Sequence, residues 1–299
     1  MRSMNKLPLH TRVRILNMLV EGSSMRSISR VCDVSINTVT KLLVDAGRVC
    51  EVFHDEKVQG VNARRVQVDE IWSFTAAKQK NVAGMKKPVE GAGDTWTWTA
   101  IEADSKLLIN WLVGDRNIEN AVPFLADLKE RLTGNYQLTS DGLQIYLGAV
   151  DEVFGDDIDY AMLVKIYGHP STGAQTRYSP AQCLGARKMP IKGNPDPKHV
   201  STSFAERQNL TMRMHMRRYT RLTNAFSRKL QNHCHMVALY TVWYNWIRIH
   251  KSLRVTPAMA AGLTDKLMDM EQVARLIDDT EMRATVQKRL AILDLPQSN

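Results

Sequence analysis

The spacing of apolar residues changes at Arg64, and that change limits the fold more than any other feature of the chain. Before it, "HTRVRILNMLV" repeats apolar residues at helical intervals, placing Val13, Leu16 and Val20 on one face. After it, "RRVQVDEIWSF" (Arg64 to Phe74) alternates, with Val66 and Val68 flanking Gln67 as one side of a strand would. The two periods cannot belong to one repeating architecture. The 299 residues leave room for an all-α opening and a larger sheet-bearing part, each with its own core.

Inside the alternation, Asp69 and Glu70 stand together where a buried strand should carry neither. Either the strand runs into a surface turn, or it holds a carboxylate at the edge of a core. Successive strand residues face opposite sides. Asp69 therefore goes with Gln67 and Ile71, and Glu70 with Val66, Val68 and Trp72, so the two acids are not expected to reach one metal pair.

The opening reads as a DNA-binding region over residues 1–50. "SMRSISRVCDVSINTVTKLLVDAG" predicts a short helix, a tight turn near Asp33 and a second helix capped by Ser35. As a helix-turn-helix it puts Asn37, Thr38, Thr40 and Lys41 at the front of a recognition helix, with Arg26 and Arg30 alongside. The bland reading is an ordinary helical hairpin. Residues 51–63 read as a polar connector.

From Arg64 the pattern predicts an α/β fold with a mixed sheet, over residues 64–263. Two strands in "GDTWTWTAIEADSKLLINWLVGDR" turn at Asp104-Ser105, and a helix follows from Asn117 to Gly134. A short strand "YQLTSDG", a helix and the strand "DYAMLVKIYG" come next. Residues 169–200 hold five of the ten prolines and read as a loop or insertion. A long helix is expected across "TSFAERQNLTMRMHMRRYTRL", another across "HCHMVALYTVWYNWIRIH", and a short helical tail over 264–299.

Charge and cysteine usage narrow the partners. Lys and Arg number 40 against 31 Asp and Glu, a net +9 that suits a polyanion such as nucleic acid, although an acidic substrate or a merely basic surface fits too. Cys32, Cys50, Cys183 and Cys234 form no CxxC pair and suggest a reducing, cytoplasmic setting. In "NHCHM", His233, Cys234 and His235 point about 100° apart on a helix and do not converge on an ion. The first residues lack an apolar run of signal-peptide length, and Met236 to His250 reads as a buried helix rather than a membrane span.

Three acids form the candidate site. Asp69 ends the apolar run of the first strand, Asp141 ends "YQLTSDG" before Gly142, and Glu206 lies near a helix start after "STS". Brought together, three carboxylates repel unless cations neutralise them. Hard divalent ions such as Mg²⁺ or Mn²⁺ take oxygen ligands, and two of them clamp the attacking and leaving oxygens of a phosphoryl displacement. No Ser-His pair or glycine-rich phosphate loop offers another chemistry. Asn209, Arg213 and Arg217 follow Glu206 at helical spacing as a basic stripe that could lie along DNA, or form a solvated face. Asp104 fits a hairpin turn, and 151–159 reads as a solvated loop.

Four segments in this order, "VQVDEIWSF", "LTSDG", "STSFAERQNLTMRMHMRRYTRLTNAFSRK" and "YNWIRIHKSLRVTPAMAAGLTD", resemble bacterial insertion-sequence transposases with an RNase H-like DDE catalytic domain, in the branch with an IS1-type catalytic domain. The resemblance implies Asp69, Asp141 and Glu206 as catalytic, metal-binding residues, with Arg213 as the basic residue two turns beyond the glutamate. It implies two Mg²⁺ or Mn²⁺ ions, binding of the element's terminal inverted repeats, cleavage at those ends and joining of 3′-hydroxyls to target DNA. The partners it implies are double-stranded DNA and a homodimer or higher oligomer, in the bacterial cytoplasm near the nucleoid. The zinc finger that opens some relatives is absent here. Lys251, with Tyr244, Asn245 and His250, is a further candidate for DNA contact. A nuclease of the same fold without strand transfer, or a DNA-binding regulator without catalysis, remain alternatives.

Overall fold

Two serine caps and one proline set the first helices of the computed structural model, which describes residues 6–168, 183–220 and 223–292. Helix α1 (Leu9–Val20) starts after Pro8. It buries Ile15, Leu16, Leu19 and Val20, while Val13 is only half-buried. Arg12 is buried on that face because its guanidinium donates to Asp278 (2.9 Å) and to the Ala274 carbonyl (3.1 Å). The Oγ of Ser24 accepts from the Ser27 N–H at the start of α2 (Met25–Val31), and that of Ser35 from the Thr38 N–H at the start of α3 (Ile36–Lys57), both at 3.1 Å. The intervening turn places Asp33 at a φ of +49°, a left-handed conformation that Asp tolerates.

Helix α3 does not stop at residue 50. It continues to Lys57 and buries Val49, Cys50, Val52 and His54, so the expected connector is helical over residues 51–57. Those residues extend the face begun by Val39, Leu42, Leu43 and Ala46. The polar residues between them hid it.

The sheet follows. The short β1 (Val61–Asn62) leads into β2 (Arg65–Thr75); after α4 (Gln79–Val82), β3 (Gly93–Glu102) and β4 (Leu108–Gly114) form a hairpin. Helix α5 (Ile118–Arg131) is capped by Asn117, and β5 (Leu132–Thr133) pairs with β1. Then β6 (Gln137–Asp141), α6 (Ile145–Phe154) and β7 (Asp159–Tyr167) complete two crossovers. The strand order is β4-β3-β2-β6-β7-β8, with β2, β6 and β7 parallel. This is the mixed α/β arrangement expected of an RNase H-like domain. Its core includes Val66, Val68, Ile71, Ile109 and Leu138, with Trp98 packed edge-on to Tyr146 at 5.6 Å.

Part of the expected loop is a strand. β8 (Cys183–Lys192) runs antiparallel to β7 at the end of that order, and residues 169–182 lie outside the described ones. The sequence concealed it because an exposed outermost strand needs no apolar alternation and tolerates Pro190, which pairs with Ala161 beside a register shift.

The long helix expected over 202–222 is also shorter. Helix α7 (Ser203–His215) ends where Met216 adopts an extended φ of −120° and ψ of 107°, and a single 3₁₀ turn (Arg217–Tyr219) follows. Helix α8 (Leu230–Val242) passes into a π-helical turn over Trp243–Ile247. Gly47 of α3 makes room for α8: a Cβ there would lie 2.3 Å from the His235 Cβ. Pro257 opens α9 (Pro257–Ala260), and α10 (Met270–Leu276) and α11 (Thr280–Ile292) form the helical tail. No helix among the described residues is long and apolar enough to cross a membrane.

The chain divides into two compact units. One holds residues 1–59, 72–96 and 209–299, the other 60–71 and 97–208. The second contains Asp69, Asp141 and Glu206.

Candidate metal centre

Strands β2 and β6 pair over only three positions, from Arg65↔Gln137 to Gln67↔Thr139. Beyond them the carboxylates of the two strands meet. Single oxygens of Asp69, Glu70 and Asp141 all lie within 4.8 Å of one another. Glu70 therefore joins Asp69, contrary to the strict alternation that placed it on the opposite side. Strand β2 continues beside β3, but its pairing with β6 has ended here, and the gap opened on that edge is within reach of carboxylates from both faces. Asp69 also folds back along its own chain, its Oδ1 accepting from the Glu70 N–H at 2.8 Å.

Burial makes this cluster costly without a cation. The Asp69 carboxyl is pushed up to about 7, first by burial and then by the charges of Glu70 and Asp141; Glu206 adds to it. Burial likewise pushes Glu70 up to about 7, against the lowering influence of Tyr146 and Arg116. Glu70 Oε2 accepts from Arg116 Nε at 3.1 Å, while its Oε1 is buried with no hydrogen-bond partner. The Tyr146 hydroxyl is held far above its ordinary range by burial and by these same acids. A buried and a half-buried carboxyl pushed up to about 7, with Asp141 beside them, match the oxygen donor set of a hard divalent cation.

Asp141 is fixed by its own turn, its Oδ1 accepting from the Leu143 N–H at 2.9 Å. Behind it, Ser140 Oγ and the Tyr160 hydroxyl bond at 2.7 Å. Glu206 is positioned by a residue whose role the sequence did not reveal. The buried Gln67 Oε1 accepts from the N–H groups of Phe204 (2.9 Å) and Ala205 (3.2 Å), satisfying two free donors at the start of α7. Thr202 Oγ1 then donates to Glu206 Oε1 at 2.5 Å. Lys165 of β7 approaches the same oxygen at 2.6 Å. Glu206 thus stands outside the tight group of three acids, with a lysine supplying its counter-charge, while its own charge is still felt at Asp69.

The remaining expected contacts divide. On α3, Asn37 and Lys41 are exposed and Thr38 and Thr40 half-buried; Thr40 Oγ1 donates back to the Ile36 carbonyl (2.9 Å), and Lys41 lies 3.6 Å from Asp45. Asn209 is buried and Arg213 half-buried, so these two do not form a solvated stripe. Arg217 leaves the stripe altogether because the helix ends before it. It lines a cleft of about 560 Å³ with Arg26, Ile36, Thr40 and Arg228. Lys251 is exposed in the turn after the π-helical segment. His233 is buried, its Nε2 bonded to the Tyr219 hydroxyl at 2.9 Å.

No family model matches the chain. No curated protein matches it either. Among solved structures, it is similar to a piggyBac transposase synaptic complex with hairpin DNA, with a TM-score of 0.42 and 9% identity, over 94% of this chain and 72% of that one. It is also similar to a pre-cleavage Mos1 transpososome (TM-score 0.21, 12% identity, 54% of this chain and 61% of that one). A Mos1 transposase paired-end complex with the left transposon end aligns at a TM-score of 0.20 and 13% identity, over 51% and 59%.

Proposed function

We propose that the chain is a DNA transposase that binds the terminal inverted repeats of its element, cleaves there and joins the 3′-hydroxyls to target DNA. The observation that carries this is the convergence of Asp69, Glu70 and Asp141 within 4.8 Å at the open end of a parallel strand pair, with Asp69 and Glu70 pushed up to about 7. Such a group would hold Mg²⁺ or Mn²⁺. Bound there, the ion supplies charge for a phosphodiester oxygen and lowers the pKa of an attacking water or hydroxyl.

The residues around it have separable tasks. Asp69 and Asp141 offer carboxylate oxygens from adjacent strands. Glu70, anchored by Arg116, offers a third from behind. Gln67 and Thr202 hold Glu206 at the start of α7, where it completes the DDE set and serves a second ion once Lys165 gives it up. Asn37, Thr38, Thr40 and Lys41 meet the groove of the end DNA. Arg26, Arg217 and Arg228, lining one cleft with Thr40, suit its phosphates. Asn209 and Arg213 support α7 from its buried side, and Lys251 is a peripheral phosphate contact. Joining two ends to one target requires at least two copies on DNA.

The test is a cleavage and strand-transfer assay on DNA carrying the inverted repeats that flank the gene, with Mg²⁺ or Mn²⁺. The wild type cuts and joins; Asp69→Asn, Asp141→Asn and Glu206→Gln bind the DNA and do neither. Cutting without joining would leave a nuclease of the same fold. Binding without cutting under either ion would leave a regulator.

A further inference from the structure

Three residues beyond Asp69 along β2, the strand changes character. Trp72 and Phe74, two apart and so on one side of the strand, are only half-buried. Their ring centroids lie 5.9 Å apart, and Phe226 extends the surface from Phe74 at 4.9 Å. The exposed Lys78 holds its Nζ 5.8 Å from the Trp72 ring and 5.9 Å from that of Phe74. These residues belong to the unit formed by 1–59, 72–96 and 209–299.

The platform is the floor of a cavity of about 530 Å³, whose other wall carries Arg218, Thr220, Thr223 and Asn224. The two walls are tied together. Thr75 bridges to Ser227, the Ala76 N–H donates to the Ser227 carbonyl (2.8 Å), and Arg218 donates to Ser227 Oγ (3.0 Å) and to the Asn232 carbonyl. The cavity thus joins flat aromatic faces, an exposed lysine at one side and short hydroxyl and amide side chains opposite. A lipid or apolar peptide would not need the lysine, and a phosphate alone would not need the rings.

The geometry points to a binding site for an unstacked nucleobase of a DNA strand, its ring on Trp72 and Phe74 and its flanking phosphate on Lys78. Thr220, Thr223 and Asn224 face the base edge with groups that both donate and accept, so the site takes any base with modest preference. That the polynucleotide is DNA rests on the transposase reading; the stacking site itself does not depend on cleavage. Its use would be to hold a strand whose end has left the duplex.

The test compares binding of a short oligothymidine with that of an abasic strand of equal length by fluorescence anisotropy, across a salt series. The wild type binds the strand with bases about ten-fold more tightly, the scale of one stacked base. Trp72→Ala binds both alike with its salt slope unchanged, and Trp72→Phe recovers most of the difference. Lys78→Ala, on an exposed side chain, weakens binding to both strands and flattens the salt slope by about one. Equal wild-type affinity for the two strands overturns the site, as does a base preference that survives in Trp72→Ala. If the preference is present but end DNA is never cut, the pocket stands and the transposase reading falls; cutting without the preference does the reverse.

Discussion

Two buried glutamates on neighbouring strands, Glu70 of β2 and Glu102 of β3, teach opposite lessons. Glu102, at the end of β3, is as buried as Glu70 and, like it, has a buried Oε1 with no hydrogen-bond partner, yet its Oε2 accepts from the Asp104 N–H (3.0 Å), the Ser105 N–H (2.6 Å) and the Ser105 hydroxyl (2.7 Å). It is the staple of a hairpin turn. Asp69 accepts from the Glu70 N–H and Glu70 from Arg116, with the Tyr146 hydroxyl beside it, yet both also face Asp141 and each other. A buried carboxylate surrounded by donors serves the fold; one surrounded by carboxylates costs the fold stability and needs a cation.

The sharpest way to break this contrast is to neutralise one acid of each kind. Asp69→Asn should lower metal-dependent cleavage by on the order of a thousand-fold, the scale of losing several kcal/mol of transition-state stabilisation. In chelator the same variant should melt at a higher temperature than the wild type, because a repulsion is gone. Glu102→Ala should do the reverse. It leaves buried donors unmet, costs about 3 kcal/mol and lowers the melting temperature, while cleavage per folded molecule is retained. A drop in chelator stability for Asp69→Asn matching that of Glu102→Ala would erase the distinction.

Titration sharpens it further. Asp69 and Glu70 have ordinary values of 3.8 and 4.5, raised in the fold to about 7. Well below pH 3.8 the carboxyls are protonated in both folded and unfolded chains, and their titration has no effect on stability. As pH rises from there to about 7, the unfolded chain releases its protons first, so the metal-free fold loses stability over that window. The melting-temperature advantage of Asp69→Asn in chelator should therefore widen with pH across it and level off above. Added Mn²⁺, competing with protons for the same oxygens, should remove the advantage at the upper end. A pH-independent gap between variant and wild type would count against the cluster.

How much of this the sequence disclosed follows from how local each cause is. The main strands before β8, their order of appearance and the cap Ser35 were legible because alternation and capping act within a few residues. Asp69 and Asp141 stood out in the sequence because each closes an apolar run, although β2 itself continues past Asp69 to Thr75. Glu70 was misplaced because alternation gives the side a side chain leaves from, not how far its oxygens reach once the neighbouring strand β6 stops pairing at Gln67↔Thr139. The role of Gln67 depends on Phe204 and Ala205, far away in sequence, and nothing near it signals a helix start. Strand β8 was hidden by exposure, which removes the apolar pattern. The end of α7 at Met216 was hidden because "RMHMRRYTRL" keeps good helical spacing with no Gly or Pro to break it.

Gln67 supplies a smaller effect. Gln67→Leu keeps the buried volume but withdraws the acceptor from two N–H groups, at a cost of about 1–3 kcal/mol. Glu206 then loses its fixed approach while Asp69, Glu70 and Asp141 keep theirs. Tight binding of one Mn²⁺, followed by electron paramagnetic resonance, should persist, whereas strand transfer falls well before end binding does. Loss of all Mn²⁺ binding in this variant would mean that Gln67 supports the acid cluster itself and not only α7.

The smallest effect is expected at Lys165, and its direction is the informative part. Its Nζ lies 2.6 Å from Glu206 Oε1, and both side chains are substantially open to solvent, 30% and 41% exposed. An ion pair of that kind contributes about 0.2–1 kcal/mol, so releasing it changes an equilibrium by at most about five-fold. If the lysine holds the place of a cation, Lys165→Met should tighten the weaker Mn²⁺ site by that factor, because Glu206 is freed from its competitor. If Glu206 takes no part in holding an ion, the same variant should leave Mn²⁺ affinity unchanged. Glu206→Gln separates the two further: with the carboxylate gone, Lys165→Met should have no additional effect on Mn²⁺ binding, and any residual change in the double variant would place the lysine's influence directly on Asp69, whose charge it also feels.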